Sequence, residues 1–321
     1  MEHLPRTITG TSPSLKHALW IVPLVLACAL QAVAREEKGS SFETRGATIY
    51  YEIIGSGAGT PLIVVNGGPG FDHAYLHASS AWESFAKNRR VVFYDQRGTG
   101  RSTSSTQGQT FTLDDQIDDL EALRVHLGAE RIELLGHSWG GYLVMAYAAR
   151  HPDRISHLII VDSAAPLFKD TIFLFDDVFP EGTERQRALD FPEEMGDRAA
   201  TDASLREYLA MLFYSTQNRD AFLASFSPKS YNREVNKAVV ADLGRFDLNP
   251  EIRKFRFPTL VVTGRFDMNV APLVAYKIHQ AIPGSRFVVF EHSGHLPFVE
   301  EPEAFVRTVE EFLAIASTSD R

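Results

Sequence analysis

The sequence predicts an α/β protein built on a mostly parallel, doubly wound sheet, with a helical segment inserted into the chain. Two observations support this prediction. Short apolar runs, which suit strands covered on both faces, alternate with stretches of helical periodicity. The alternation stops between residues 164 and 257, where no buried strand is evident, and then resumes. We therefore expect one layered core interrupted by a helical insertion.

Composition and charge narrow the class of protein. The chain has 321 residues, of which 44% are hydrophobic and 23% are charged, as in ordinary soluble globular proteins. The formal net charge is −9 and the basic residues form no stripe, which argues against nucleic acid as a partner. The single cysteine, Cys28, excludes an internal disulfide and a cysteine-based zinc site.

The first 34 residues have the pattern of a secretory signal peptide. Arg6 and Lys16 precede an apolar run over 18–30, and Ala32-Val33-Ala34 supplies a small-residue cleavage site. Pro23 and the short apolar core disfavour a stable membrane span. We therefore expect export, either to the periplasm or out of the cell.

A second interpretation of this segment stays open. The run that ends at Cys28 loosely resembles a bacterial lipobox. Lipid attachment at Cys28 would tether the protein to a membrane surface.

Strand and helix signals alternate before residue 164. A hairpin is expected over 42–54, where the chain alternates and then ends in a glycine-rich turn. Acidic residues crowd the start of a helix over 111–127, and we expect them on a solvated face near the positive end of the helix dipole. These acids are Asp114, Asp115, Asp118 and Asp119. The other expected elements are strands over 61–65, 90–94, 131–135 and 155–161, and helices over 81–87 and 142–150.

The insertion follows the sixth predicted strand. We expect it to form a lid, because ligands bind beyond the carboxyl ends of the strands in open α/β sheets. Its predicted helices cover 168–179, 183–189, 204–213, 219–226 and 232–243. Strands over 258–263 and 286–290 and helices over 272–282 and 302–316 then complete the chain. The predicted organisation is a signal peptide (1–34), a core (42–163 and 258–316) and a lid (164–257).

The most informative motif is Gly136-His137-Ser138-Trp139-Gly140. It has the pattern G-x-S-x-G and lies between a predicted strand and a predicted helix. A serine on so sharp a turn is strained, and the flanking glycines are needed because larger side chains would collide with neighbouring elements. The turn exposes the Ser138 hydroxyl near a helix N-terminus, which favours developing negative charge. The motif therefore predicts a nucleophilic serine.

A glycine-rich turn, Asn66-Gly67-Gly68-Pro69-Gly70, follows the strand over 61–65. Backbone N–H groups in such a turn are free to face a ligand. We expect the N–H of Gly67 or Gly68, together with that of Trp139, to form an oxyanion hole. In the later turn over 95–102, Asp95 and Arg97 are expected to brace the loop rather than to react.

A nucleophilic serine needs a base, and the base needs an orienting carboxylate. Asp267 and His295 each follow one of the last two predicted strands, so both are expected near Ser138. Asp162 also follows a strand and is an alternative acid, and His292 is an alternative base. We prefer Asp267 because it lies on the strand before the histidine strand. We prefer His295 because a tight Gly-His loop suits a projecting base.

Five motifs together resemble the prolyl aminopeptidase (proline iminopeptidase) branch of the α/β-hydrolases. They are residues 66–70, 95–102 (DQRGTGRS), 136–141, 264–267 and 294–295, and the resemblance extends over 42–316 apart from the lid. The order serine, acid, histidine is that of the superfamily. The resemblance implies an α/β-hydrolase fold and the release of an N-terminal residue, often proline, from a peptide. It implies no cofactor, and we expect no metal in the site.

The chain departs from that pattern in one position and leaves another feature unassigned. Such peptidases usually have histidine where this chain has Asn66. They also use lid acids to bind the free α-amine of the substrate, and Glu181, Glu184 and Glu207 are candidates among several acids here. Solvent exposure is otherwise the ordinary state of each of these carboxylates.

Three functions follow from this pattern. The first is an exported serine aminopeptidase, and the second is a carboxylic-ester hydrolase with the same three residues and an apolar lid pocket. The third is a binding protein that keeps the fold without catalysis, which the intact set of Ser138, Asp267 and His295 disfavours. The expected partner is a small peptide or ester, and the oligomeric state stays open.

Overall fold

A nine-stranded sheet forms the centre of the computed structural model, which describes residues 39–104, 110–227 and 231–315. The strands lie in the order β1-β2-β4-β3-β6-β7-β8-β9, and β5 pairs with β2. They are β1 (Gly39–Thr44), β2 (Ala47–Ile54), β3 (Leu62–Val65), β4 (Val91–Tyr94), β5 (Thr103–Ser104), β6 (Ile132–His137), β7 (Ile155–Val161), β8 (Thr259–Gly264) and β9 (Arg286–Phe290). The predicted signal peptide and Cys28 lie outside the described residues.

The sheet is mostly parallel, as predicted. The predicted hairpin is present, because β1 pairs with β2 in antiparallel register, and β2 is also antiparallel to β4 and β5. Every other pair, from β4 through β3, β6, β7 and β8 to β9, is parallel. The carboxyl ends of these six strands therefore meet along one edge.

Thirteen α-helices accompany the sheet in the described part of the chain. None of them combines the length and hydrophobicity that crossing a bilayer requires. They are α1 (Ala81–Phe85), α2 (Leu113–His126), α3 (Trp139–Arg150), α4 (Phe175–Val178), α5 (Pro180–Arg187), α6 (Asp190–Glu194), α7 (Arg198–Ala210), α8 (Thr216–Ser225), α9 (Arg233–Leu243), α10 (Asn249–Ile252), α11 (Pro272–Ala281), α12 (Pro297–Glu300) and α13 (Pro302–Leu313). A short 3-10 helix, His73–Ala78, follows β3.

The central strands are covered on both faces, which explains their continuous apolar runs. Successive residues of a strand point to opposite faces. In β3, Ile63 joins an apolar cluster with Leu120 of α2 and Val144 of α3. Its neighbour Val64 joins a second cluster with Trp82 of α1 and Phe305 of α13. A strand in such a position needs an apolar side chain at every residue.

The insertion differs from its prediction in two respects. It follows the seventh strand rather than the sixth, because the two-residue strand β5 was not predicted. The single helix predicted over 168–179 is wrong, since that stretch contains a 3-10 helix, Phe168–Asp170, and the four-residue α4. The described residues between β7 and β8 otherwise form helices α5 to α10, without a further strand of the sheet.

The insertion is hydrogen-bonded to the glycine-rich turn after β3. The backbone N–H of Asn232 donates to the Gly70 carbonyl at 2.8 Å, and the Asn236 side chain donates to the Pro69 carbonyl at 2.8 Å. Tyr231 forms an isolated antiparallel bridge with Phe71. These contacts fasten the insertion to the edge of the sheet where the polar loops meet. Its role as a lid stays a prediction.

The acids at the start of α2 are not all solvated, which corrects that expectation for Asp119. Asp119 is fully buried, and its two oxygens each accept a 2.7 Å hydrogen bond from Arg97. Asp115 instead forms a capping box with Thr112. Burial raises the pKa of Asp119 despite this pair, so the attraction does not fully offset the desolvation. Arg97 braces the loop after β4, as expected.

We expect Asp119→Ala to destabilise the protein by about 3 kcal/mol, because it removes both short hydrogen bonds of the buried Arg97 guanidinium and leaves it the Asp115 carboxylate at 3.4 Å. The midpoint of urea denaturation measures the effect. Asp118→Ala is the matched control, since Asp118 is 56% exposed and lies 3.6 Å from Arg150. That change should alter stability by less than about 0.5 kcal/mol. If the two substitutions lowered stability equally, the conclusion that Asp119 stabilises the buried Arg97 guanidinium would be contradicted.

Candidate active site

Ser138 lies on the sharp turn between β6 and α3. Its backbone angles are φ 56° and ψ −120°, and its N–H donates to the Val161 carbonyl of β7 at 2.8 Å. Such a conformation costs a non-glycine residue on the order of 1–3 kcal/mol. A side chain on Gly140 would lie 2.3 Å from the Val65 carbonyl, and one on Gly136 would lie 2.2 Å from the Gly140 carbonyl. This confirms the expectation that larger side chains in place of Gly136 and Gly140 would collide with neighbouring elements.

Asp267 and His295 are hydrogen-bonded to each other at the ends of β8 and β9. The distance from His295 Nδ1 to Asp267 Oδ2 is 2.7 Å, and both side chains are buried. The other Asp267 oxygen accepts the backbone N–H groups of Asn269 and Val270, each at 2.9 Å. Of the two acids considered from the sequence, Asp267 is therefore the one that holds the imidazole.

Burial disfavours charge on both members of this pair. It raises the pKa of Asp267 to about 7, although hydrogen bonds to the carboxylate act in the opposite direction. It lowers the pKa of His295 to about 4. A neutral imidazole with its proton on Nδ1 has a free lone pair on Nε2, which is the state that a general base needs.

Ser138 and His295 line the same cavity, which has about 370 Å³ of empty space. In this structure His295 Nε2 accepts a hydrogen bond from the Asn269 side-chain amide at 3.1 Å. A neutral imidazole nitrogen offers one lone pair. The Asn269 amide therefore occupies the lone pair that His295 would need in order to accept a proton from Ser138.

Asp162, the alternative acid, is buried against Asp267. Its backbone φ is 46°, and one of its oxygens accepts the Gly264 N–H at 2.9 Å. Burial, and after it the charge of Asp267, raises the pKa of Asp162 well above its ordinary value. The environment of Asp162 therefore disfavours its charged form. This residue is thus suited to support Asp267 and unsuited to replace it.

His137 connects the base to the glycine-rich turn. Its Nε2 lies 2.8 Å from the His295 carbonyl, and its Nδ1 lies 2.7 Å from the Tyr75 hydroxyl. The carbonyl can only accept, so we assign the proton to Nε2 and infer that Tyr75 donates to Nδ1. The Tyr75 oxygen in turn accepts the Gly67 N–H at 2.6 Å. Gly67 therefore uses its N–H within the protein, and Gly68 is the better of the two donors expected from the sequence.

A second hydrogen-bonded series positions Trp139. The Trp139 indole N–H donates to Gln96 Oε1 at 2.8 Å, and Gln96 Nε2 donates to the Asn66 carbonyl at 2.9 Å. The Asn66 side chain donates to the Phe71 carbonyl at 2.8 Å. The side chains of Asn66, Gln96 and Trp139 are all buried. The series fixes the two predicted oxyanion segments relative to each other.

The loop that carries His295 is held by the insertion and by α12. The His295 N–H donates to the Leu212 carbonyl at 2.7 Å. Glu300 accepts the N–H groups of Gly294 at 2.6 Å and Ser215 at 2.7 Å. His292, the alternative base, is exposed and its ring lies 5.9 Å from that of Tyr214. The structure therefore places His295, rather than His292, at the cavity.

A larger cleft, with about 1680 Å³ of empty space and open to solvent, also reaches Ser138. Its wall includes Trp139, Tyr208 and Tyr231, together with Glu193 of the insertion. The Glu193 side chain is only 10% exposed, and it lies 3.2 Å from the Arg233 guanidinium. Among the carboxylates that line this cleft together with Ser138, Glu193 is the most enclosed.

The three acids proposed from the sequence are placed elsewhere. Glu181 and Glu207 line a separate cavity, where Glu207 pairs with Arg185 at 3.0 Å. Glu184 is 80% exposed and lies 4.0 Å from Arg187. The structure thus does not bring Glu181, Glu184 or Glu207 to Ser138. Their roles as lid residues could not be judged from sequence, because which helix face turns inward depends on the packing of α5 and α7.

Several residues of the site were not identified from the sequence. Tyr75, Gln96 and Asn269 each contact a predicted site residue, and of the three only Gln96 lies in a motif noted from the sequence, which did not indicate this contact. Asn269 is two residues from Asp267, which is its only local signal. The contacts of Tyr75 and Gln96 cross between loops and are visible only in three dimensions.

Comparisons with known proteins agree with the fold. The family model described as alpha/beta hydrolase fold matches residues 60–302. A proline iminopeptidase of Clostridium botulinum is 31% identical over 289 residues, covering 82% of this chain and 94% of the relative. The crystal structure of a hydrolase from Pseudomonas aeruginosa PA01 is similar with a TM-score of 0.67 and 26% identity, covering 87% of this chain and 99% of that one. A thermophilic esterase from Thermogutta terrifontis has a TM-score of 0.64 and 26% identity, with 86% and 97% covered. The predicted fold class is confirmed.

We expect Asp162→Asn to flatten the pH dependence of stability. An acid whose folded pKa is raised binds its proton more tightly in the folded state, so stability falls as pH rises from the unfolded pKa to the folded one. Asparagine removes this titration, keeps the oxygen that Gly264 needs and tolerates positive φ. The slopes of unfolding free energy against pH should differ by up to about 1.4 kcal/mol per pH unit above pH 4. Equal slopes of unfolding free energy against pH for the two proteins would contradict this prediction. They would mean that Asp162 loses its proton at the same pH in the folded and unfolded states.

Proposed function

Because the chain belongs to the α/β-hydrolase family and is a serine hydrolase similar to the proline iminopeptidases, we propose that it releases amino-terminal residues from peptides. We assign the chemistry to Ser138, His295 and Asp267. The observation that carries the assignment is the buried 2.7 Å contact between His295 and Asp267, beside the cavity that Ser138 lines.

The reaction proceeds through an acyl-enzyme. Ser138 Oγ attacks the carbonyl carbon of the first peptide bond while His295 Nε2 accepts its proton. Asp267 stabilises the resulting imidazolium, and the N–H groups of Gly68 and Trp139 hold the oxyanion. His295 then gives the proton to the leaving amine. A water molecule, deprotonated by His295, attacks the acyl-enzyme and regenerates Ser138.

Proton transfer requires His295 Nε2 to exchange one partner for another. In the structure this atom accepts from Asn269. When substrate fills the cavity, the Ser138 hydroxyl takes the place of the Asn269 amide. Asn269 therefore holds the imidazole in its reactive tautomer before substrate arrives, without itself taking part in the chemistry.

The small cavity suits the side chain of the amino-terminal residue. Besides Ser138 and His295, its wall is dominated by apolar and aromatic side chains. They include Phe71, Leu209, Leu212, Phe222, Phe226 and Leu296. A pyrrolidine ring or a similar apolar side chain matches this surface. Glu193, on the wall of the adjoining cleft, is our candidate for the partner of the free α-amine.

An esterase is the second candidate function. Glu193 already has a cationic partner, Arg233, at 3.2 Å, and the small cavity is apolar. Both features would also suit an uncharged ester. The Thermogutta terrifontis protein, whose solved structure resembles this one, is an esterase. The two functions share every residue that we assign to the chemistry, so they differ only in what the insertion recognises.

We expect Ser138→Ala to abolish turnover of both aminoacyl arylamides and short-chain nitrophenyl esters, because no other hydroxyl occupies the elbow. A fluorophosphonate probe should label the unchanged protein at Ser138 and leave the variant unlabelled. Circular dichroism should show the same fold for both. Normal kcat in the variant would refute the mechanism. Failure of the probe to label the folded, unchanged protein would favour a binding protein without catalysis.

We expect Glu193→Gln to lower kcat/KM for substrates with a free α-amine by about 10–100-fold, the usual worth of a hydrogen bond to a charged group. The same variant should hydrolyse a nitrophenyl ester without an amine at the normal rate. Glu184→Gln, at an exposed acid of the same insertion, is the matched control. N-acetylation of the peptide should abolish its cleavage by the unchanged protein. An equal loss on the ester would mean that Glu193 acts through Arg233 on the fold, and cleavage of acetylated peptide would favour the esterase.

A further inference from the structure

Three side chains of types that can bind a metal ion converge where β2 meets the 3-10 helix His73–Ala78. They are Glu52 of β2 and His73 and His77 of the helix, and one ligand atom from each lies within 4.8 Å of the other two. None of the three lines the cavity or the cleft at Ser138. The proposed peptidase reaction gives these residues no role.

The spacing of these atoms is near that of a tetrahedral metal site. The two histidines lie nearest to different oxygens of Glu52, so the carboxylate must rotate slightly to bind an ion together with both of them. His73 Nε2 is 3.6 Å from Glu52 Oε1, and His77 Nε2 is 3.3 Å from Glu52 Oε2. Bonds of 2.0–2.2 Å at tetrahedral angles would place neighbouring ligand atoms about 3.3–3.6 Å apart. The His73 distance is longer than an ordinary hydrogen bond, which prefers about 2.9 Å.

The residues around these side chains already orient them as outer partners orient metal ligands. His73 Nδ1 lies 2.6 Å from Asp95 Oδ1, so the carboxylate holds the Nδ1 proton and directs Nε2 toward Glu52. This arrangement of carboxylate and histidine is typical of zinc ligands. The Tyr50 hydroxyl donates to Glu52 Oε1 at 2.9 Å, which leaves Oε2 for a metal.

We propose that Glu52, His73 and His77 bind one Zn²⁺ ion, with a water molecule as the fourth ligand. Two imidazoles and one carboxylate are a common zinc set. The His77 side chain is 37% exposed and leaves an entry path, whereas those of His73 and Glu52 are 6% and 19% exposed. The ion would join β2 to the helix that carries Tyr75, and the Tyr75 hydroxyl accepts the Gly67 N–H. Its role is to stabilise the turn after β3, not to react.

Two features of the metal-free site oppose binding and limit its affinity. Burial, the largest influence, lowers the pKa of His73, but the neighbouring carboxylates of Asp95 and Glu52 outweigh it and raise that pKa to about 9. A proton therefore competes with the ion for His73 Nε2. The Arg101 guanidinium lies 3.9 Å from Glu52 Oε1 and also contacts Tyr50, so its positive charge must move aside for an ion to bind, and its side chain is 55% exposed.

Zinc binding to the purified, untagged protein tests the proposal. After treatment with a chelator and dialysis, titration calorimetry with Zn²⁺ should give one saturable site per chain, and Zn²⁺ should raise the melting temperature. His77→Gln removes a ligand that is exposed, so the variant should fold normally. It should bind Zn²⁺ more than about 100-fold more weakly, since even loss of an outer partner costs 10–100-fold.

His126→Gln is the matched control, because His126 is an exposed histidine outside this cluster. It should bind Zn²⁺ and show the thermal shift as the unchanged protein does. Glu52→Gln provides a second test, since it removes the anionic ligand while keeping an acceptor for Tyr50. Absence of saturable binding, or equal binding by the unchanged protein and His77→Gln, would overturn the proposal. Neither result depends on peptidase activity, so the proposed function stands or fails separately.

Discussion

The close approach of the elbow to its neighbouring strands determines where every other part of the site lies. Gly140 is so near the Val65 carbonyl that a β-carbon there would be 2.3 Å from it. The strained backbone of Ser138 persists because β6 and most of α3 are fully buried on either side. The core, and not a surface loop, therefore fixes the position of the serine hydroxyl. Asp267 and His295 then need only follow β8 and β9 to reach the same edge of the sheet.

Two buried hydrogen-bond series extend this constraint to the loops. One runs from Gly67 through Tyr75 and His137 to the His295 backbone, and the other joins Asn66, Gln96 and Trp139. Unpaired polar groups in such surroundings are costly, so each link holds its neighbours in place. The same burial lowers the pKa of His137 and raises the pKa of Asp162, so it disfavours charge on both side chains. The ionisable neighbours of Asp267 and His295 are thus disfavoured from carrying charge of their own.

Local patterns predicted the parts of the fold that depend on local chemistry. The strand at 286–290 has the predicted bounds, and the elbow, its glycines and the strand-end positions of Asp267 and His295 lie where the sequence indicated. Patterns failed where a long-range contact decides. The sequence pattern does not distinguish Asp119 from the other acids at the start of α2, because its partner Arg97 lies 22 residues away in the chain. Glu193 could not be separated from Glu207, because only the packing of the insertion turns one of them toward the cleft.

Asn66 shows why the chemistry of the site can be inferred from sequence while its substrate cannot. Its amide donates to the Phe71 carbonyl, and its backbone and side-chain oxygens accept from Gln96, which also receives the Trp139 indole N–H. The residue therefore acts inside the scaffold, where it is fully buried. Its departure from histidine changes how the oxyanion segments are braced and places no new group in the cavity. We therefore expect discrimination between a peptide and an ester to come from the insertion, where Glu193, paired with Arg233, lines the cleft.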